Sequence, residues 1–83
     1  MTDDTRTISL GSEWVAISDG VKTIFMDVKS GVLEFCLGSD APSKEAEGHN
    51  RGAGFECTIT PPTKMWGRAA HGSGRTRIVL SQI

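Results

Sequence analysis

The C-terminal segment restricts the fold more than any other part of the chain. Lys64-Met-Trp-Gly-Arg-Ala and Thr76-Arg-Ile-Val-Leu-Ser are rich in β-forming side chains, and His71-Gly-Ser-Gly between them supplies glycines for positive φ. This pattern predicts a closing β-hairpin, Lys64–Ala69 with Thr76–Ser81, and no helical period fits it.

The same signal recurs upstream. Glu13–Ser18 mixes Trp14 with Val15 and Ile17, and Asp19-Gly20 ends it as a turn. Lys22–Val28 places Ile24, Met26 and Val28 on one side, taken as the core face. Lys29-Ser30-Gly31 then turns the chain into Val32–Leu37, where Leu33, Phe35 and Leu37 alternate with Glu34 and Cys36. These two segments predict a second hairpin. Phe55, Cys57 and Ile59 share one face of Phe55–Thr60, and Pro61-Pro62 stops that strand.

Two regions fall outside the pattern. Residues 1–12 read as a flexible N-terminal arm carrying at most a short strand at Thr7–Leu10. Residues 38–54 read as one long irregular loop, with a single helical turn near Ser43–Glu47 capped by Ser43. A loop of that length in a compact domain is usually functional. The expectation is therefore all-β: a small antiparallel β-sandwich or barrel of six to seven short strands, spanning 13–83 as a single domain.

An 83-residue chain is one small domain. It buries only about 60–65% of its unfolded-state surface, so a homo-oligomer or other partner is expected to add stability. The two cysteines are fewer than a secreted disulfide scaffold of this size carries. Strand parity also sends Cys36 and Cys57 to opposite faces, which argues against a bond between them. Met1-Thr-Asp-Asp-Thr-Arg has no apolar run behind it, and no segment approaches the roughly 18 apolar residues of a membrane span. A membrane partner is not expected.

Net charge is −1, but it is unevenly distributed along the chain. Residues 1–50 hold nine acids against Arg6, Lys22, Lys29 and Lys44. Residues 51–83 hold only Glu56 against Arg51, Lys64, Arg68, Arg75 and Arg77. This asymmetry suits docking of one copy on another, or on an acidic shell. Nucleic acid is the less favoured partner, because no aromatic is interleaved among the arginines after Trp66.

No catalytic constellation emerges. His49 and His71 lie far apart in sequence and, with Cys36 and Cys57, match no zinc-ligand spacing. Ser39, Asp40 and His49 have no element to hold them together. The glycines of 48–54 and 72–74 lack the strand, helix and Lys-Ser/Thr of a phosphate loop. The expectation is a non-enzyme without cofactor. Trp14 and Trp66 read either as core fillers or as subunit contacts, with Arg68 on the same strand face as Trp66. The candidate interaction residues are Trp66, Arg68, His71, Arg75, Arg77, Lys44, His49 and Arg51.

The order Trp14-Val-Ala-Ile-Ser, Phe35-Cys-Leu-Gly-Ser-Asp-Ala-Pro, Ile59-Thr-Pro-Pro-Thr, Met65-Trp-Gly-Arg-Ala and Ile78-Val-Leu-Ser resembles small β proteins of tailed bacteriophages. These are accessory virion proteins or modules of tail and fibre proteins. The resemblance spans residues 13–81 and departs at 44–54, which are more charged than the usual approach to the next strand. It implies a structural role: capsid decoration or cement, or an accessory head protein, assembled in the host cytoplasm into the virion and touching capsid or tail proteins. The contact elements would be residues 1–12 and 38–54. Two alternatives accompany it. One is a tail- or fibre-associated protein binding host-surface glycans through Trp66, His71 and Arg75. The other is a small nucleic-acid-binding β-barrel using Arg68, Arg75 and Arg77.

Overall fold

The computed structural model describes residues 4–83. These residues are all-β, with eight strands among them: β1 Asp4–Leu10, β2 Val15–Asp19, β3 Ile24–Ser30, β4 Val32–Leu37, β5 His49–Gly52, β6 Glu56–Ile59, β7 Lys64–Ala69 and β8 Thr76–Gln82. They form two four-stranded sheets, ordered β1-β8-β3-β6 and β2-β7-β4-β5, in which neighbours run antiparallel. The pairs β1·β8, β2·β7, β3·β6 and β4·β5 give the strand order of an eight-stranded jelly roll, a long ribbon rolled into two facing sheets.

Side-chain alternation builds the layer between the sheets. From the β1-β8-β3-β6 sheet come Leu10, Ile78, Leu80, Met26, Val28 and Ile59, all buried, with Ile8, Ile24 and Cys57 packed against them. From the other sheet come Ile17, Met65, Leu33 and Ala69, with Phe35 partly buried. The Ile24, Met26 and Val28 face is inward, as expected. Ile17 of β2 and Leu33 of β4 close over Gly67 of β7 between them, where an added Cβ would run into Ile17 Cδ1 and sit 3.1 Å from Leu33 Cδ1. A bulge between Ala16 and Ser18 turns both Ile17 and Ser18 inward, and Ser18 Oγ donates to the Thr63 carbonyl at 3.3 Å.

Both expected hairpins are corrected. β7 pairs with β2 and β4, whereas β8 pairs with β1 and β3, so the His71–Arg75 turn carries the chain from one sheet to the other. The Gly31 turn does the same between β3 and β4. A glycine turn between two apolar runs looks the same in sequence whether the strands pair or face each other. The two crossings are knit together. Thr76, fully buried, donates through Oγ1 to the Val32 carbonyl at 2.7 Å, Ser73 Oγ accepts the Val32 N–H at 2.9 Å, and the Ala70 N–H also reaches the Val32 carbonyl. Gly31, at φ +79°, sits where a Cβ would lie 2.7 Å from the Arg75 carbonyl oxygen.

The arm is corrected too. Residues 1–3 lie outside the described residues, but Asp4–Leu10 is a full strand along β8. Thr5 Oγ1 meets Ser81 Oγ at 2.8 Å, and Arg75 donates to Ser9 Oγ and to the Ser9 carbonyl, both at 3.1 Å. The long loop is shorter than expected, because His49–Gly52 pairs with Val32–Phe35 as β5. Within the remaining segment, the helical turn is a single reverse turn closed by Ala46 N–H to Ser43 carbonyl at 3.1 Å. Leu37 faces the space between the sheets but stays 58% exposed at its open rim.

Candidate functional site

The outer face of the β2-β7-β4-β5 sheet carries the densest side-chain chemistry in the molecule. Register places Arg68 beside Glu34 and Trp66 beside Cys36, with Trp14 just ahead of β2 over Arg68. Residues 38–48 cross this face as a strap. Trp66 Nε1 donates to the Gly38 carbonyl at 3.1 Å, and Trp14 Nε1 to the Ser43 carbonyl at 2.9 Å. Neither tryptophan fills the inter-sheet core, so the core-filler reading of both is corrected. They are the floor on which the chain's own loop lies.

Arg68 is the centre of this layer. Its Nε donates to Glu34 Oε1 at 2.7 Å, Nη1 to the Lys44 carbonyl and Nη2 to the Ala46 carbonyl, both at 2.9 Å. Its guanidinium carbon lies 4.2 Å from the centre of the Trp14 ring. The second Glu34 oxygen accepts the Gly48 N–H at 2.8 Å, closing the far end of the strap. The hydrogen bond from Arg68 holds the Glu34 carboxyl below its ordinary pKa; burial opposes this, and the Gly48 N–H adds to it. Burial and the Glu34 charge push the Cys36 thiol up, and burial alone does so for Cys57. Cys36 lies on this outer face and Cys57 on the inner face of the opposite sheet, matching the parity reading.

The other predicted residues scatter. His49 and Arg51, on β5, border the mouth between the sheets. The His49 ring lies 5.2 Å from Phe35, Phe35 stacks on Phe55 at 6.1 Å, and Arg51 sits over Phe55 at 5.6 Å. Beside them an apolar groove of about 240 Å³ runs between Leu37, Phe55, Ile59 and Met65. Arg77 is exposed on the outer face of the other sheet, and Arg75 holds β1. The basic residues therefore form no single stripe. Trp66 does not join His71 and Arg75 at a loop tip.

Lys44 and His71 do come together. They border a cleft of about 730 Å³ between the Ser12–Trp14 link and the strap, floored by Trp14 and Arg68 and walled by Ala41, Pro42 and Ala69, with Ser12 and Glu13 at the rim. Sequence reasoning named Trp14 only as a general contact candidate and missed Glu13 and Glu34. Nothing local marks Glu34 as the partner of a residue 34 positions away. Among the described residues no three His, Cys, Asp or Glu side chains gather as metal ligands, and no helix is long and apolar enough to cross a membrane.

Compared with known protein families, curated proteins and solved structures, the chain matches none.

Proposed function

We propose that this chain is a structural protein of a tailed-bacteriophage virion, a capsid decoration or accessory head protein acting through protein–protein contacts, in a symmetric homo-oligomer. Jelly-roll sheets build capsid walls and sugar-binding domains alike, so topology does not choose among roles. The observation that favours this reading is where the polar groups go. Arg68, Glu34 and both indole N–H groups are committed to the chain's own strap. The opposite sheet presents a face with no strap across it, Thr5, Thr7 and Ser9 beside Arg77, Val79 and Ser81 and then Phe25 and Asp27, ending in the seven-residue edge strand β1. Such a face with an open edge suits packing against another protein. The resemblance of residues 13–81 to phage accessory proteins points the same way.

The test is a binding experiment with purified capsids of the encoding phage prepared without this protein. Saturable, symmetry-ordered binding seen by electron microscopy is the expected result. Absence of the protein from purified virions, or its presence only in tails, overturns the proposal.

A further inference from the structure

The cleft beside the strap has a chemistry that the contact role does not use, and we infer that it is a binding site for a neutral saccharide ring. Its floor includes the Trp14 indole, held by the bond from Nε1 to the Ser43 carbonyl and by Arg68 over one face of the ring, so that a ligand meets the other face and the edge. Ala41, Pro42 and Ala69 extend that apolar surface. Around the rim stand an acceptor, Glu13, a donor, Lys44, and two groups that can do either, Ser12 and His71, all exposed. A few convergent polar groups over an apolar, aromatic wall are the general composition of a small-ligand site.

The combination selects the ligand class. A phosphate or sulfate is less well matched, because each of the three Arg68 guanidinium nitrogens already donates within the chain and Glu13 sets a carboxylate against Lys44 at the rim. A purely apolar ligand would leave Glu13 and Lys44 desolvated without partners. A pyranose matches both surfaces, since it offers an apolar face of C–H groups to the indole and a periphery of hydroxyls that donate and accept. The site is distinct from the face used in the virion reading, because it is lined from the Ser12–Trp14 link, the strap, β7 and His71, and by none of the outward residues of β1 or β8.

The experiment is a titration of the intact protein followed by 1H–15N correlation spectra. The probes are methyl α-glucopyranoside, methyl β-galactopyranoside and N-acetylglucosamine, with inorganic phosphate and hexanol as controls. Saturable shifts confined to Ser12, Glu13, Lys44, His71 and the Trp14 indole N–H are expected with at least one sugar. Glu13→Ala and His71→Ala, both at exposed positions, are each expected to weaken that binding about fivefold, the loss of one hydrogen bond, with the rest of the spectrum unchanged. Absence of saturable shifts with every sugar overturns the inference. So do the same shifts with phosphate or hexanol, or affinity unchanged in both variants.

Discussion

The two sheets differ most on their outward faces. One is bare of any strap, its rows built from Thr5, Ser81 and Phe25, from Thr7, Val79 and Asp27, and from Ser9 and Arg77, with a Lys29–Asp27 ion pair at 3.7 Å. The other carries two tryptophans, an Arg–Glu pair mostly shielded from solvent and an 11-residue strap, Gly38–Gly48, laid across them. The difference follows from the space between the sheets. β7 turns Met65, Gly67 and Ala69 inward, and Gly67 is so tightly flanked by Ile17 and Leu33 of the neighbouring strands that no large ring fits there. Bulky side chains are displaced to the outside, where they need cover, and the strap supplies it. A small jelly roll thus gains a second packed layer without enlarging its core.

Substitutions on the two faces test this contrast directly. Arg68→Ala should have the largest effect, about 3 kcal/mol lower unfolding stability in urea titration, because it strands the Glu34 carboxylate and releases three bonds at once. Gly67→Ala comes next, at about 2 kcal/mol, since its new methyl group meets the Ile17 side chain of the neighbouring strand β2 on the inward face of the same sheet. A smaller effect is expected from acid. Glu34 has a folded-state pKa below its unfolded value, so its contribution is complete above the ordinary carboxylate range and is lost as pH falls through the lowered value. Urea midpoints measured from neutral pH downward should therefore fall more steeply for the wild type than for Glu34→Gln. The smallest effect belongs to the bare face. Arg77→Ala should change stability by less than about 0.5 kcal/mol. A loss at Arg77 equal to that at Arg68 would erase the distinction between the faces.

What could be read from the residues was local. The alternation of Met26 and Val28, and of Leu33 and Phe35, marked inward faces correctly, and Trp66 and Arg68 were rightly placed on one face. What could not be read was pairing at a distance. A Gly-rich turn specifies a reversal of direction but not whether the next strand joins the same sheet, so both sheet crossings looked like hairpins. β5 was hidden because His49-Asn-Arg-Gly has no β-forming side chains. Its strand conformation comes from the β4 backbone it pairs with, an instance of context overriding propensity. The acidic first half and basic second half looked like complementary docking surfaces. In the fold, strands of the two halves interleave in both sheets, and the Glu34–Arg68 pair joins them within one chain.

The central claim is that the strap 38–48 is fastened onto the tryptophans of one outer face. A NOESY spectrum of the two indole Nε1 protons tests it most directly. The fold predicts cross-peaks from Trp14 Hε1 to the α protons of Ser43 or Lys44, and from Trp66 Hε1 to those of Gly38 or Ser39, both absent in Arg68→Ala while β8 keeps its amide contacts. Indole protons with cross-peaks only to their own strands in the wild-type protein would contradict it.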